Sequence, residues 1–391
     1  MDAASRASRT IAVVLIDRAN YGRLRPVMEA IRQRRDLRLA VVCGGTMLLE
    51  RFGRAADIVR EDGFAVDEEV HMEVDGSVPA TMTASIGLGI VEFAGAFRRL
   101  APDYVLVIGD RYEALAAAIA AVYQNLCLIH LQGGEVTGSI DESTRHALTK
   151  LAHYHFPATR RSGDYIVRMG EHPDTVFAFG CPSADVVAAA KAELPCELLD
   201  RLGVGARIDW RKPYLLVVFH PVTTEYAAAE AQMERLLAAV SRSGRQVAML
   251  WPNIDAGSDR VSHAIRRFRE NNGGVPLRVY KNVEPAAYIP LLAGAACLVG
   301  NSSSFVREAS YFGTPVVLVG SRQDGRERSD AVCRVEPDTA AIAEAIAAQC
   351  AHGPYAPSPV YGSPGVSRRI AEAIAALAPY RQKRLHYDGK E

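Results

Sequence analysis

The 391-residue chain has no excess of charge of either sign: 45 Lys and Arg stand against 45 Asp and Glu. That balance argues against a broad nucleic-acid footprint, which needs a basic face. It leaves room for a small anion, because a few local arginines can hold one. Cysteine is sparse and unpatterned. Seven residues, an odd count, are scattered without a CxxC or any metal-ligand spacing, so they read as reduced thiols of a cytosolic protein. The opening MDAASRASRT lacks the apolar stretch of a signal peptide. No run is read as reaching the roughly 18–20 apolar residues of a membrane helix. Repeats and low-complexity tracts are missing. So are the Gly-Lys-Ser/Thr of a P-loop and the Gly-x-Gly-x-x-Gly of a dinucleotide site.

What is present is apolar residues, 49% of the chain, enough for two cores of about 150–200 residues each. Strand-like and helix-like segments alternate. TIAVVLI (Thr10 to Ile16) precedes a helical pattern carrying Leu24, Val27, Met28 and Ile31, and LRLAVVCGG follows. DYVLVIGD (103–110) and LCLIHLQGG (126–134) flank an Ala-rich helix. Continuous apolar strands between helices predict a parallel sheet covered on both faces. The pattern pauses near 181–213 and restarts with PYLLVVFHP, RQVAMLWPN, CLVGNSSS and TPVVLVGSRQ. The fold class is therefore α/β, with two doubly wound Rossmann-like domains facing a cleft. The expected boundaries are 1–184 for the first domain and 185–364 for the second. A helix at about 365–382 is expected to cross back onto the first. Ligands of such sheets bind at the carboxyl ends of the strands.

The polar residues at those ends form the candidate site. In GNSSSFVREAS, Ser302, Ser303 and Ser304 open an expected helix, where free N–H groups and the helix dipole attract phosphate. A plain serine N-cap would read the same way. Glu308, one turn on, suits ribose hydroxyls. His220 follows another strand, placed to donate to a phosphate or act as an acid, or to be structural. Asp110 and Arg111 end a first-domain strand. Glu135, Asp141, Glu142 and Arg145 follow, with Gln132, in HLQGGEVTGSIDESTRH. Four carboxylates near one cleft suit a general base and acid with separated pKa values. Alternatively Asp141 caps the helix that follows and Glu142 joins its first turn. His146, His153 and His155 do not match a zinc spacing, so no metal is expected. Arg18 ends the first strand and suits a diphosphate. Asn253, Arg322 and Arg326 complete the substrate-binding candidates.

Together these phrases resemble one family. RANYGRLRPVM, GDRYEALAAA, HLQGGEVTGSIDESTRHALTKLAHYHFPAT, FGCPSAD, HPVTTEY, WPNIDAGS, GNSSSFVREASYFGTPVV and GSRQDGRE occur in order between about residues 10 and 335. They are similar to the hydrolysing UDP-N-acetylglucosamine 2-epimerases of sialic-acid biosynthesis and their bacterial relatives. The resemblance implies a glycosyltransferase-B-like fold, a UDP-sugar in the interdomain cleft, and no metal or nicotinamide cofactor. It also implies a homodimer or higher homo-oligomer, with no nucleic-acid or membrane partner. The implied reaction is anti-elimination of UDP to a 2-acetamidoglucal, followed by hydration to N-acetylmannosamine. Asp110 and Asp141 match acid/base positions, His220 a phosphate-side histidine, and Ser302 and Ser303 the phosphate cradle. Glu308 matches the ribose contact and Arg18 an anion-binding arginine. Arg111 and Arg145 match arginines of the same motifs. Four positions depart. Gln132 stands where a catalytic Glu is expected, with Glu135 or Glu142 as substitutes. Met47 and Ile108 replace histidines, and Asn20 replaces an acidic residue. Those departures keep open a modified sugar such as a diacetamido-trideoxy one, a UDP- or GDP-activated amino sugar, hydrolysis without inversion at C2, or a non-catalytic nucleotide-sugar sensor.

Overall fold

The computed structural model describes residues 8–386, except 77, 272, 273 and 282. Residues 1–7, which carry most of the signal-peptide expectation, lie outside the described residues. Strands β1 (Arg9–Leu15), β2 (Leu37–Gly44), β3 (Glu68–Val70), β4 (Tyr104–Ile108), β5 (Cys127–Leu131) and β6 (Tyr154–Phe156) build one sheet. Its order is β3-β2-β1-β4-β5-β6, parallel throughout. A second sheet holds β7 (Val204–Gly205), β8 (Tyr214–Val218), β9 (Gln246–Leu250), β10 (Leu277–Tyr280), β11 (Cys297–Gly300), β12 (Val316–Val319) and β13 (Val332–Val335). Its order is β13-β12-β11-β8-β9-β10-β7, antiparallel only at the two-residue edge strand β7. Both halves thus have the doubly wound order expected from the sequence.

The inner strands are mostly apolar because helices cover both faces. YVLVI of β4 and YLLVV of β8 are buried end to end. Each such side chain contributes about 1.5–3 kcal/mol on burial. The Ala-rich helix Tyr112–Tyr123 packs against the helix Pro79–Leu100. Gly89 allows that approach, since a Cβ there would lie 3.0 Å from Ala116 Cβ and 2.6 Å from Met72 Cε. Pro79–Leu100 corrects one sequence expectation. By length and composition alone its 22 residues suffice to cross a membrane. Thr81, Thr83, Ser85 and Glu92 break the apolar run, which hid it from the sequence reading. One face of the helix buries Phe93, Ala96 and Phe97 in the core over the first sheet, and Leu88 and Val91 are exposed.

The late helix Val366–Ala376 inserts Val366, Ile370 and Ile374 into the cluster that also holds Leu24, Val27 and Met28 of the helix Arg18–Arg32. The chain beyond it runs along the first half. Tyr154 Oη donates to the Ala378 carbonyl at 2.7 Å. Lys383 Nζ donates to the carbonyls of Thr149, Lys150 and Ala152 at 3.0, 2.8 and 2.7 Å. That cation satisfies the open C-terminus of the helix Ile140–Leu151. The same helix carries Asp141 and Arg145 at its other end.

Strand order reverses between β1 and β4 in the first sheet and between β8 and β11 in the second. At these switch points the neighbouring loops diverge and open a crevice. Asp17 and Arg18 leave β1, and Asp110 and Arg111 leave β4. His220 leaves β8, and Asn301 and Ser302 leave β11.

Candidate functional site

The two crevices face each other across one cavity of about 260 Å³. Its wall includes Arg18, Asp110, Arg111 and Asp141 from the first half. His220, Asn253, Ser302, Ser303, Ser304, Glu308 and Arg322 come from the second. Gly138 shows how close the halves come. A Cβ there would sit 2.0 Å from the Ser321 carbonyl oxygen, and its N–H donates to Arg322 O at 3.3 Å.

The second-half wall is built from hydrogen-bond donors. The Asn253 N–H donates to His220 Nδ1 at 3.1 Å, which leaves the ring proton on Nε2. Burial, helped by Arg322, pushes the imidazole pKa down to about 3. His220 is therefore a neutral donor in the ligand-free protein, not an imidazolium acid. Asn301 fixes its backbone, accepting from His220 N at 2.7 Å and donating to His220 O at 2.8 Å. Ser302 Oγ lies 3.0 Å from Ser304 Oγ, which also meets the Tyr288 hydroxyl. Arg18 Nε is buried without a partner among the described residues. Glu308 is bound at one oxygen by the Ser183 hydroxyl at 2.6 Å, and its other oxygen is a buried, unpartnered acceptor. That oxygen is free to accept a hydrogen bond from a hydroxyl.

The first-half wall holds two carboxylates in opposite electrostatic states. Burial disfavours the charge on Asp110, but Arg145 and Arg326 outweigh it and hold the group well below the usual carboxylate range. Arg145, fully buried, donates to Asp110 Oδ2, and to the Glu135 carbonyl at 2.8 Å. Asp141 moves the other way. Burial and then the charge of Asp110 raise its pKa, against the pull of Arg322 3.5 Å away. Paired carboxyls with pKa values pushed apart are the arrangement of a base and an acid.

The structure sorts the remaining candidates. Glu135 does not reach the cavity. It lies beneath the wall, with Oε2 bound by Arg307 and by Arg326 at 2.9 Å. Arg145 and Arg326 are likewise supports of the wall, buried by their ion pairs. Glu142 also stays outside the wall, because its Oε2 accepts the Thr137 N–H at 2.7 Å. Gln132 is buried in a left-handed turn with φ of 62°, donating to Cys181 Sγ at 3.1 Å. Asp141 does not cap its helix. Ser139 does, accepting from the Asp141 N–H, which frees the Asp141 carboxyl for the cavity. The serine segment is two 3₁₀ turns, Ser303–Phe305 and Glu308–Tyr311, rather than the expected helix. Arg307, between the two turns, and Glu308, which opens the second, are tied across the molecule to Glu135 and Ser183. Met47 and Ile108 are core residues, and Asn20 bonds Asp17 Oδ1 at 2.9 Å. Of the three histidines, His153 accepts the Leu128 N–H and His155 faces Glu171. His146 lies 3.6 Å from Glu142.

Sequence reasoning missed Asp255 and the apolar end of the cavity. Asp255 accepts from Arg111 Nη1 at 2.8 Å, and Arg111 also grips the buried Glu113. Trp251, Val283, Pro285, Tyr288 and Ile289 supply the apolar part of the cavity lining. Its sequence, VEPAAYIP, carries only the signature of a helix start.

The family model for UDP-N-acetylglucosamine 2-epimerase matches residues 29–375. The chain is 32% identical over 374 residues to the UDP-N,N'-diacetylbacillosamine 2-epimerase (hydrolyzing) of Legionella pneumophila, covering 96% of this chain and 97% of that one. It is 27% identical to the UDP-N-acetylglucosamine 2-epimerase of Neisseria meningitidis, over 92% of each. In fold it is similar to the Methanocaldococcus jannaschii UDP-GlcNAc 2-epimerase solved with UDP-GlcNAc and UDP. That match has a TM-score of 0.77 at 13% identity, covering 94% of this chain and 100% of that one. The glycosyltransferase-B-like arrangement and the matched length place this enzyme in the UDP-N-acetylglucosamine 2-epimerase family.

Proposed function

We propose that the protein is a hydrolysing 2-epimerase of a UDP-activated 2-acetamido sugar, of which UDP-N-acetylglucosamine is the simplest. The observation that carries this reading is the pair Asp110 and Asp141. One is held ionised and the other pushed toward its neutral form, on the same cavity wall opposite the His220 and serine donors. The apolar part of the lining suits a nucleobase, Glu308 the ribose diol, and the donor wall the diphosphate.

The proton on C2 is not acidic, since no carbonyl adjoins it. Its removal needs a leaving group stabilised as it departs. Asp110 takes the C2 proton, the C–H electrons form the C1=C2 bond, and the C1–O bond breaks with its pair going to UDP. His220 Nε2–H, the serine hydroxyls and Arg18 stabilise that charge from fixed positions, the kind of contribution that is largest in a desolvated site. Asp141 then protonates C2 of the glucal from the opposite face while water adds to C1. The proton lost by the water recharges Asp141, and Asp110 releases the C2 proton to solvent. The products are UDP and the sugar inverted at C2.

Gln132 does not stand in the way of this scheme, because it faces Cys181 and not the cavity. Incubation with UDP-N-acetylglucosamine or its 4-acetamido-4,6-dideoxy analogue in D2O, followed by proton NMR, tests the reading. The expected products are UDP and a free manno-configured sugar with deuterium at C2. Release of UDP without inversion, or without deuterium, overturns it.

A further inference from the structure

Arg322 follows β12 and reaches two places that belong to different halves of the molecule. Its Nη1 donates to the Asn301 carbonyl at 3.3 Å, next to Ser302. Its Nη2 lies 3.5 Å from Asp141 Oδ2. Charge-assisted N–H···O bonds close to about 2.7–2.9 Å when nothing holds the partners apart, so the contact with Asp141 is a loose one. Both side chains keep part of their surface on the cavity, 13% and 28% exposed, whereas Arg326 and Glu135 beneath the wall are each 3% exposed. The other charged groups around Asp141 do not replace this cation. Asp110 and Asp255 oppose a charge on it. Arg145, one turn along the same helix, is committed to Asp110. Arg111, on the same wall, is committed to Asp17, Glu113 and Asp255. His220, across the cavity, is held neutral by burial.

We infer that Arg322 is a cation contested between Asp141 and the diphosphate, so that the nucleotide, on binding, loads the acid with its proton. The inference rests on the proposed epimerase reading and adds to it the moment at which the acid is armed. Without nucleotide, burial and Asp110 push Asp141 toward its neutral form, and Arg322 is what opposes them. A diphosphate seated at His220 and the serines offers the Arg322 fork more charge and more oxygens than one carboxylate does. It also brings its own negative charge to the cavity that Asp141 lines, in a largely buried site where salt screens little. Both effects favour the protonated acid. Arg322 thus acts on Asp141 as a positioning residue. When UDP departs, the guanidinium returns to Asp141 and the proton is released. The coupling is reciprocal. Nucleotide binding takes up a proton, and nucleotide affinity falls as pH rises from the free-state value of Asp141 to its higher bound-state value.

Calorimetry of UDP binding in two buffers of different ionisation enthalpy counts the protons exchanged, and it needs no turnover. The titrations are run between pH 5 and 8 on the wild type, Asp141→Asn, Arg322→Gln and Arg322→Lys. At the pH of greatest difference the wild type is expected to take up at least about half a proton more than Asp141→Asn. The β-phosphate of UDP titrates in both and cancels. Arg322→Gln should lose most of that excess, because Asp141 then has no cation to give up, and Arg322→Lys should keep part of it. Equal proton exchange in the wild type and Asp141→Asn overturns the inference and leaves the epimerase reading standing. So does an excess that Arg322→Gln leaves intact. The wild type alone gives a second reading with UDP-glucose, whose diphosphate does not titrate in this range. Its affinity should fall several-fold between pH 5 and 8, and a flat profile overturns the inference. If the wild type does not bind UDP, the epimerase reading fails and takes this inference with it.

Discussion

Replacing Asp110 with Asn removes a charge from the centre of the site while keeping its shape and one acceptor oxygen. Two consequences separate cleanly. For folding, Arg145 loses its carboxylate but keeps the Glu135 carbonyl at 2.8 Å and the Thr137 hydroxyl at 3.2 Å. Arg326 lies 3.9 Å from Asp110 and keeps Glu135 at 2.9 Å. The cost therefore falls below the roughly 3–5 kcal/mol of orphaning one member of a buried ion pair. It lies nearer the ~1.5–3 kcal/mol of a hydrogen bond to a charged group. Against a stability of about 5–15 kcal/mol the variant stays folded.

For chemistry the loss is larger. A positioned base contributes about 10²–10⁴-fold, or roughly 3–5 kcal/mol of barrier. An amide cannot take the C2 proton at all. The Asp110→Asn protein should therefore melt cooperatively at a modestly lower temperature and bind UDP within a few-fold of wild type. It should incorporate deuterium at C2 at least about a hundredfold more slowly. Circular dichroism, calorimetry and NMR in D2O read the three quantities on one preparation. Activity within about tenfold of wild type would refute the assignment of the base. A parallel loss of UDP binding would recast Asp110 as a structural anchor of Arg145.

Three further outcomes follow from the same geometry. Ser302→Ala and Ser303→Ala should each weaken UDP binding by roughly ten- to a hundredfold, the worth of a hydrogen bond to an anion; unchanged affinity would show that the serines cap backbone rather than cradle phosphate. The His220 ring, held neutral by burial and pushed down to about 3, should show no NMR titration between pH 5 and 8, and a midpoint near its ordinary value would contradict the buried donor role. Glu113 is pushed up to about 8 by burial, and Glu73 adds to the shift against the pull of Arg111. A raised folded pKa gives stability that is full below the unfolded value and lost as pH rises through 8. Thermal melts of Glu113→Gln should therefore fall less between pH 5 and 9 than those of wild type, and identical slopes would remove Glu113 as the titrating group.

The strands were legible because burial on both faces writes them as largely apolar runs between helices. Residues that end a strand at a switch point could be placed from sequence. Asp110, His220 and Ser302 all sit at such ends and all line the cavity. What could not be read was orientation within a loop. Asp141 and Glu142 are adjacent acids after the same turn. Ser139 takes the cap, so Asp141 faces the cavity and Glu142 folds back onto the Thr137 N–H. Gln132 looks like a catalytic position by its neighbours. Its left-handed backbone and its bond to Cys181 turn it under the wall, a conformation that no pattern of residue types announces. The apolar part of the cavity lining was invisible for another reason: Val283, Pro285 and Ile289 carry no signal of their own beyond that of a helix start.

The placement of Arg307 and Arg326 explains why the proposed acid/base pair needs both halves of the molecule. Within the first half alone, Asp110 and Glu135 share one cation, Arg145, so the cluster carries net negative charge and an ionised Asp110 is opposed by its neighbour. The second half brings Arg307 and Arg326 against Glu135, with Arg326 also facing Asp110. The cluster then becomes net positive, and the balance on Asp110 favours the carboxylate despite its burial. The same docking brings Arg322 only to within 3.5 Å of Asp141, further from the cation than the pairs beneath the wall. Burial and the charge on Asp110 therefore still win at Asp141. One interface thus shifts two neighbouring carboxyls in opposite directions, with the His220 and serine donors on the second-half side of the same cavity.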